Sequence, residues 1–402
     1  MCDHTEPRSP CKSIRNACRM LHDSSGKGHC VNQPSDPALV AQGTVDSEAF
    51  LDRMRRGIHA GRNETRLLVD HVLDGTVDLA AFGRWLVALA DAGESAEEIA
   101  GVATSLRGKM LSVSSQHAVI ADTCGTGGDG SGSFNISTAA AIVVAAAGLP
   151  IAKHGNRAVS SRTGSADVLE QLGVCIDAAP ATVTSCLNQL GLCFCLAPIY
   201  HPAMARVGPL RHSLGRSTVF NLVGPLCNPA GATVQVIGVG RESAREPMAR
   251  AAMLLGASRV LVVSGGCEES GSRSIDEVSL FGSTDVVDVS ATATRRLRWT
   301  PEDFGIATQP ASRMAELTVA GPAESAAAIR EVLAGSRGPR RDIVVLNAAA
   351  LLWAAGKSAD LPGARLLAET AIDSGEAAAK LECLAHLTHE DGHLQPAILS
   401  LG

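Results

Sequence analysis

Aromatic side chains, unbroken apolar runs and surplus positive charge are all scarce in this chain of 402 residues. Aromatic residues are 3% of the total and Tyr200 is the only tyrosine, which argues against a stacking platform for single-stranded nucleic acid. Lys plus Arg number 35 against 41 for Asp plus Glu, whereas a nucleic-acid binder usually has a basic surplus. The longest apolar run, 139–152, is interrupted by Gly148 and Pro150 and is shorter than the roughly 20 residues of a membrane helix. We therefore expect neither a nucleic acid nor a membrane as partner.

The chain also lacks any C-x-x-C pair, although it contains 12 cysteines. The N-terminus has no apolar stretch of the kind that forms a secretory signal. These features predict reduced thiols in a cytoplasmic protein. A zinc site near the N-terminus is an open alternative, but the spacing of the residues that would form it fits no standard site; they are Cys2, His4, Cys11, Cys18, His22, His29 and Cys30.

The N-terminal third of the chain divides into a polar and a helical segment. Residues 1–45 are rich in Ser, Pro and Gly without periodicity, so we expect a disordered extension. Residues 46–118 are predicted to form a small all-helical domain, joined by helices near 202–216. Its start and stop signals include a capping box of Ser95 with Glu98 and two helix-terminating glycines. Its apolar stripe at helical spacing comprises Phe82, Trp85, Leu86 and Leu89.

Residues 119–402 read as a larger α/β domain, because short β-branched runs alternate with helical patterns. Such alternation predicts a mostly parallel central sheet with helices on its faces. The predicted strands are 119–123, 150–153, 192–197, 234–239 and 260–264. The predicted helices are 138–147, 165–172, 182–190, 244–255, 323–333 and, apolar on all sides and therefore buried, 342–355.

The strongest chemical signal is a glycine-rich loop between a predicted strand and a predicted helix. Its sequence is Asp-Thr-Cys-Gly-Thr-Gly-Gly-Asp-Gly-Ser-Gly-Ser-Phe-Asn-Ile-Ser-Thr, from Asp122 to Thr138. Glycines let backbone N–H groups approach a phosphate closely, and a helix N-terminus favours negative charge. The spacing matches neither a Walker A motif nor a dinucleotide fold. The segment predicts a phosphate site, with a flexible loop and an ordinary N-cap at Asn135 or Ser137 as the alternative.

A second candidate loop follows the next predicted strand. Loops after parallel strands gather at one edge of the sheet, so this loop is expected to face the first. Lys153, Arg157 and Arg162 would supply positive charge for a phosphate. His154 and Asn156 have the chemistry to read a polar ring substituent. A solvated basic loop is the alternative.

Two further segments carry candidate ligands. Tyr200 and His201 follow another predicted strand, and Arg211 lies a short way downstream. An arginine near an aromatic ring suits a planar carboxylate, which it can bind through two hydrogen bonds. Asp276 and Glu277, after the last predicted strand, would form a hard oxygen site for Mg²⁺. Ordinary surface residues are the alternative in both segments.

Seven segments then occur in an order typical of one enzyme family. They are GTGGD, FNIST, KHGNRAVSS, GSADVLEQLG, APIYHPAM, NLVGPLCNPA and DEVSLFG. Together they resemble the anthranilate phosphoribosyltransferase family of tryptophan biosynthesis over about residues 46–390. The resemblance implies a helical domain joined to an α/β domain of the nucleoside phosphorylase and phosphoribosyltransferase type, and a homodimer formed through the helices. It also implies transfer of the phosphoribosyl group of 5-phosphoribosyl-1-pyrophosphate to the amine of anthranilate, with release of pyrophosphate and a requirement for Mg²⁺.

The resemblance assigns site residues by motif. The phosphoribosyl pyrophosphate site would comprise Gly125, Thr126, Gly127, Gly128, Asp129, Ser133, Asn135, Ile136, Ser137, Thr138, Lys153 and Ser165. Arg211 would bind the acceptor carboxylate in an anthranilate channel lined also by Gly125, Asn156, Tyr200 and His201. The ligands of Mg²⁺ would be Ser137, Asp276 and Glu277.

A few positions depart from the family pattern. Ser133 stands where threonine is common, and Arg162 with Thr163 replaces a more usual Lys-Ser pair. Residues 265–273 look like an insertion before the acidic pair, and residues 1–45 have no counterpart. None of these departures removes an implied ligand.

The expected mechanism depends on positioning. The leaving diphosphate develops negative charge, which Mg²⁺ and the loop amides would stabilise. The aromatic amine is mostly neutral at pH 7 and can attack without a strong base, so no side chain is required as a catalyst; His154 is the only candidate base in a ligand loop. Three alternatives stay open: a phosphoribosyltransferase for another aromatic acceptor, a pyrimidine nucleoside phosphorylase-like enzyme, and a non-catalytic protein that keeps the fold.

Overall fold

The computed structural model describes residues 46–158, 162–267 and 275–389. The expectations for residues 1–45, including the zinc alternative, lie outside these residues, as does most of the insertion predicted at 265–273. The N-terminal part of the described chain is helical, as expected. Its helices are α1 (Ser47–Arg55), α2 (Arg62–Asp74), α3 (Leu79–Ala92) and α4 (Ala96–Lys109).

The ends of these helices follow the signals in the sequence. The Ser95 hydroxyl accepts the backbone N–H of Glu98 at 3.2 Å, and the Glu98 carboxylate accepts the N–H of Ser95 at 2.9 Å. This reciprocal pair confirms the predicted capping box. Gly75 ends α2 in the left-handed conformation at φ 83°, and Gly93 ends α3. The predicted apolar stripe of α3 is fully buried at Phe82, Trp85, Leu86 and Leu89.

The rest of the described chain contributes seven strands to one sheet. They are β1 (Ala121–Gly125), β2 (Ile151–Gly155), β3 (Leu192–Leu196), β4 (Val234–Gly238), β5 (Arg259–Gly265), β6 (Thr284–Ser290) and β7 (Thr294–Trp299). Their order across the sheet is β3-β2-β1-β4-β5-β6-β7. Strands β1 to β5 pair in parallel, whereas β6 and β7 pair antiparallel, which confirms a mostly parallel sheet.

The hairpin of β6 and β7 was not predicted. Its charged residues form ion pairs across the hairpin or with distant parts of the chain, which local periodicity does not show. Arg295 of β7 lies 2.7 Å from Asp288 of β6, and Arg296 lies 2.6 Å from Glu246. The five predicted strands, in contrast, correspond to β1–β5 with ends displaced by a residue or two.

Helices cover both faces of the sheet. They are α5 (Ile136–Ala146), α6 (Ser165–Gln171), α7 (Pro180–Leu190), α8 (Ala197–Tyr200), α9 (Gly208–Leu214), α10 (Val219–Val223), α11 (Arg245–Leu254), α12 (Pro322–Leu333), α13 (Pro339–Ala354), α14 (Leu361–Asp373) and α15 (Glu376–His389). The predicted all-apolar helix corresponds to α13, and its middle is buried as expected. None of the helices in the described ranges is both long and apolar enough to cross a membrane.

Apolar side chains on the two faces of the sheet belong to two separate cores. Alternate residues of β5 point to opposite sides, with Leu261 and Val263 in a core shared with α5 and α13. Val260 and Val262 instead belong to a core shared with α2, α3, α4 and α11. This alternation is the period of a strand with both faces covered. The N-terminal helices therefore share a hydrophobic core with the α/β part of the chain.

Candidate functional site

The glycine-rich loop joins the carboxyl end of β1 to α5. Gly127 and Gly128 adopt positive φ values of 70° and 77°, a conformation that side chains disfavour. At its start, the Thr126 N–H donates to the Gly238 carbonyl of β4 at 2.8 Å. At its end, the Phe134 N–H donates to the Leu317 carbonyl at 2.9 Å. The loop is thus held at both ends, while Gly127 and Gly128 are exposed to ligands.

Asp276 packs directly against this loop. Its Oδ2 accepts the Gly127 N–H at 2.7 Å. A Cβ atom on Gly125 would lie 2.2 Å from that oxygen, so the close approach requires a glycine. The Asp276 segment is fixed by Asn347 of α13, whose amide bonds the N–H of Val278 at 2.8 Å and its carbonyl at 3.1 Å.

Three carboxylates lie close together at this point: Asp129, Asp276 and Glu277. Burial and the neighbouring Asp129 raise the pKa of Asp276 to about 7. Burial and Asp276 likewise raise the pKa of Glu277 well above its usual range. Nearby cations relieve such crowding. The donor set therefore fits a divalent cation.

Protein ligands alone do not complete a cation site here. Within 46–158, 162–267 and 275–389, no three His, Cys, Asp or Glu side chains are arranged to hold a metal. Mg²⁺ is usually bound by one or two carboxylates together with water and substrate phosphates. The pair of Asp276 and Glu277 beside a phosphate-type loop suits that incomplete coordination.

The N-terminus of α5 faces the same region. Its N–H groups and positive dipole end favour an anion. Asn135 precedes the helix but its side chain does not cap it. Ser137 is partly exposed in the first turn, and the buried Thr138 hydroxyl has no hydrogen-bond partner among the described residues. This helix end can therefore accept a phosphate ligand.

Lys153 supplies a buried positive charge to this cluster. It extends from β2, is 3% exposed, and donates to the Thr123 carbonyl at 2.9 Å and the Ser137 hydroxyl at 3.3 Å. Its charge lowers the pKa of Glu277, against the larger effect of burial. The predicted donor-side residues of the first and second loops are thus brought together.

Sequence reasoning missed a buried pair behind Lys153. The Asn228 amide donates to the Asp122 carboxylate at 2.8 Å and to the Ala152 carbonyl at 2.7 Å. Burial raises the pKa of Asp122 to about 6, although Lys153 opposes the shift. Both residues belong to quoted motifs, so the signal was present, but their contact spans 106 positions.

Ser133 and Ser165 lie on different sides of the site. Ser133 pairs with Thr318 in an isolated antiparallel bridge. It lines a small cleft together with Asp129, Ile136 and Glu277. Ser165 begins α6, and its hydroxyl donates to a backbone carbonyl of the second loop at 3.5 Å.

The expectation that Arg157 supplies charge to the phosphate loop is wrong for this structure. Its guanidinium bonds Asp167 at 3.1 Å and Glu170 at 2.9 Å on the exposed side of α6. The cause is local, because both carboxylates lie in the helix that follows the loop. Arg162 does lie beside Gly132 of the glycine loop, but it donates to a backbone carbonyl at 3.1 Å.

His154 and His201 form a pair on the expected acceptor side, with ring centroids 5.0 Å apart. Nδ1 of His154 lies 3.1 Å from the Gly224 carbonyl, and Nε2 of His201 lies 3.1 Å from the Cys227 carbonyl. A carbonyl only accepts, so these nitrogens carry the protons and the other two are acceptors. Burial lowers the pKa of both rings, to about 3 for His154. His154 is therefore too weakly basic for the general-base role considered above.

The other expected acceptor residues differ in environment. Tyr200 is 1% exposed and its ring belongs to the main core. Asn156 is exposed, and its side-chain oxygen accepts the Arg157 N–H at 2.8 Å. Arg211 of α9 stacks over Phe220, 5.3 Å from the ring centroid. Burial lowers the pKa of Arg211, and no carboxylate within the described parts of the chain pairs with it.

Comparison with known proteins agrees with this geometry. The model of the glycosyl transferase family a/b domain matches residues 117–378, and that of the helical bundle domain of the same family matches residues 48–110. Anthranilate phosphoribosyltransferase of Moorella thermoacetica is 43% identical over 337 residues, 84% of this chain and 97% of that protein. The enzyme of the same name from Pelotomaculum thermopropionicum is 45% identical over 332 residues, 83% of this chain and 94% of that protein.

Solved structures show the same likeness. Anthranilate phosphoribosyltransferase from Thermus thermophilus superposes with a TM-score of 0.77 at 40% identity, covering 85% of this chain and 99% of that one. The Saccharomyces cerevisiae enzyme in complex with PRPP and Mg gives a TM-score of 0.75 at 28% identity, covering 85% and 98%. The chain therefore belongs to the anthranilate phosphoribosyltransferase family.

Proposed function

We propose that this chain transfers the phosphoribosyl group of phosphoribosyl pyrophosphate to the amine of anthranilate and releases pyrophosphate, a step of tryptophan biosynthesis. One observation carries the proposal: the glycine loop, the α5 N-terminus and Glu277 line one small cleft, and Asp276, next to Glu277, accepts a hydrogen bond from the same loop. Loop amides and a helix end suit a diphosphate, and the acidic pair suits the cation that accompanies it. The names of the relatives agree with this chemistry.

In the proposed donor site, the chain binds and orients the diphosphate. The N–H group of the exposed Gly128, together with Asn135, Ser137 and Thr138, supplies hydrogen-bond donors to the leaving group. Preorganised donors stabilise charge that develops during bond breaking. Lys153 adds a fixed positive charge that needs no rearrangement during the reaction.

The proposed cation is Mg²⁺, held by Asp276, Glu277 and the Ser137 hydroxyl. When bound, Mg²⁺ neutralises negative charge on the diphosphate. The Asp276 carboxylate is held in place by the Gly127 N–H at 2.7 Å. This contact couples the cation site to the loop that binds the phosphates.

In the proposed acceptor site, Arg211 binds the anthranilate carboxylate. The aromatic amine attacks the ribose carbon as the neutral species, so the chain provides position rather than a strong base. The lone pairs of His154 and His201 are suited to accept hydrogen bonds from a polar ligand. Asn156 lies on the exposed side of this region.

A turnover assay tests the proposal directly. The full chain is incubated with phosphoribosyl pyrophosphate, Mg²⁺ and, in separate reactions, anthranilate or another aromatic amino acid. We expect turnover with anthranilate and much less with an analogue that lacks the carboxylate. Turnover of a nucleoside with phosphate, and none with anthranilate, would instead support the phosphorylase alternative.

We also propose a homodimer formed through the N-terminal helices, a cytoplasmic location, and a domain boundary near residue 118. The family models support the boundary, because one ends at residue 110 and the next begins at residue 117. Light scattering of the purified chain tests the dimer.

A further inference from the structure

Two hydroxyl groups from distant parts of the chain hold the side chain of Asn135. The Thr163 hydroxyl donates to Asn135 Oδ1 at 3.0 Å, and the Ser325 hydroxyl donates to the same oxygen at 2.9 Å. The Ser325 hydroxyl also accepts the backbone N–H of Asn135 at 3.0 Å. Ser325 lies in α12, is fully buried and is separated from Asn135 by 190 positions. Asn135 is thus fixed at both its backbone and its amide.

This arrangement differs from the usual behaviour of asparagine at a helix start. An N-cap asparagine normally uses its side-chain oxygen to accept a backbone N–H of its own first turn. Here that oxygen is occupied by Thr163 and Ser325, and no side-chain cap bond is made to α5. The first-turn N–H groups of α5 find other partners: those of Ile136 and Thr138 donate to the Phe134 and Asn135 carbonyls at 2.8 and 3.1 Å, and that of Ser137 bonds the Glu277 carboxylate.

The same contacts decide which way the amide points. An asparagine carries one accepting oxygen and one donating nitrogen. The Ser325 oxygen already accepts the Asn135 backbone N–H, so its own proton is available for Oδ1. With Oδ1 held on the side of Thr163 and Ser325, the Nδ2 group faces away from them.

We propose that Ser325 and Thr163 are positioning residues that turn the Asn135 amide nitrogen toward the diphosphate of the donor. The inference rests on the proposed function, since it needs phosphoribosyl pyrophosphate as the ligand. It assigns a role to α12, which no motif singled out. It also explains why Thr163 is acceptable where the family more often has serine, because both residues carry the hydroxyl.

The test measures binding of phosphoribosyl pyrophosphate with Mg²⁺ to the full chain by calorimetry. The variants are Ser325→Ala, Thr163→Val and Asn135→Ala, with Thr163→Ser as the matched control that restores the hydroxyl. Steady-state KM for anthranilate and thermal unfolding are recorded for each. Thr163→Val keeps the shape of the side chain, so a loss of binding reports the hydroxyl rather than packing.

We expect Ser325→Ala and Thr163→Val each to weaken donor binding about 10-fold, as one lost charge-assisted hydrogen bond would. Thr163→Ser recovers most of the affinity, and KM for anthranilate stays within about 2-fold. The decisive variant combines Ser325→Ala with Asn135→Ala. If Ser325 acts through Asn135, the double variant binds no more weakly than Asn135→Ala alone.

Fully additive losses in the double variant, or unchanged affinity in Ser325→Ala and Thr163→Val, would overturn the inference. If Asn135→Ala does not fold, Asn135→Leu takes its place, because it keeps a similar side-chain volume and removes both polar atoms of the amide without adding charge. A wild-type chain that neither binds the donor nor turns it over would instead contradict the proposed function.

Discussion

At the scale of single residues, the site is marked by partly or fully buried charges that other described residues compensate only in part. Arg341 is buried too, but Asp373 binds it with two bonds of 2.7 and 2.9 Å, as expected of a structural pair. Arg211 has no such carboxylate among the described residues, and Asp276 and Glu277 crowd one another. Unpaired buried charge is costly unless a ligand compensates it. This cost supports the proposal that ligands bind at these residues.

Replacing Arg211 by Ala should weaken recognition of the acceptor and not of the donor. The guanidinium can bind both oxygens of the anthranilate carboxylate, which an ammonium group cannot match. We expect KM for anthranilate to rise about 10–100-fold in Arg211→Ala. The KM of Arg211→Lys should lie between that of the wild type and that of Arg211→Ala. Each substrate is titrated separately at saturation of the other. A rise in KM for the donor alone would place Arg211 in the phosphate site.

Asp276 should be needed for turnover through the cation. Asp276→Asn keeps the side-chain volume and an acceptor for the Gly127 N–H but removes the charge. We expect kcat to fall by about 10²-fold or more, with a higher Mg²⁺ requirement. The control is Asp74→Asn, an exposed carboxylate at the end of α2. Equal activity of both variants at saturating Mg²⁺ would show that Asp276 is not a ligand.

His154 should make the fold sensitive to acid. Burial lowers its pKa to about 3 in the folded chain, against 6.5 for a solvent-exposed histidine. The stability it contributes is therefore complete above pH 6.5 and is lost as the pH falls toward 3. Between pH 7.5 and 4.5 the wild type should lose about 2–3 kcal/mol more unfolding free energy than His154→Gln. Urea unfolding at both pH values measures this, and equal losses would contradict it.

At the scale of elements, the sequence was informative where local pattern and tertiary environment agree. Strands β1–β5 are buried on both faces, so they read as short β-branched runs and were predicted. The β6–β7 hairpin carries charged residues that are stabilised only across the sheet, as with Arg259 and Arg295 on Asp288. Periodicity contains no information on such pairs.

The site residues, like the strands, were predictable only where local pattern and topology were sufficient. Loops after parallel strands meet at one edge, so the meeting of the glycine loop with Lys153 and Asp276 was predictable from topology. Arg157 was misassigned because its acidic partners lie in the next helix. The hydrogen bonds between Ser325 and Asn135 were not predictable, since they depend on how α12 packs against α5. Long-range contacts of this kind need coordinates.

The end of β4 should tolerate no side chain. A Cβ on Gly238 would lie 1.6 Å from the Asp276 carbonyl oxygen, and a backbone atom cannot rotate away. We expect Gly238→Ala to displace Asp276, lowering kcat/KM by about 10²-fold and stability by about 1–3 kcal/mol. Gly108→Ala, at an exposed glycine of α4 with open space around it, is the control. Steady-state kinetics and thermal unfolding of both variants test the expected losses of kcat/KM and stability.

At the scale of the whole molecule, the helical part helps to place the acceptor arginine. Leu210 of α9 packs so closely on Gly83 of α3 that a Cβ there would lie 2.9 Å from it. Arg206, just before α9, packs still more closely on Gly75 at the end of α2, where a Cβ would lie 2.6 Å from its guanidinium. Arg211 is the next residue after Leu210. The N-terminal helices therefore contribute to the proposed acceptor site as well as to the second core.

Removing residues 1–44 should leave catalysis unchanged. The match to the family begins at residue 48. The match to the Moorella thermoacetica relative covers 97% of that protein but only 84% of this chain. We therefore expect that residues 1–44 are not needed for the activity of the family. Deletion to residue 44 also spares the cap of α1, because Asp46 accepts the N–H groups of Glu48 and Ala49 at 3.0 and 3.2 Å. We expect kcat and both KM values within about 2-fold of the full chain, and a melting temperature within about 2 °C, since a ΔΔG well below 1 kcal/mol is anticipated. Parallel assays, calorimetry and light scattering of the two chains provide the test. Loss of turnover, or of a dimer present in the full chain, would show that the segment belongs to the working enzyme.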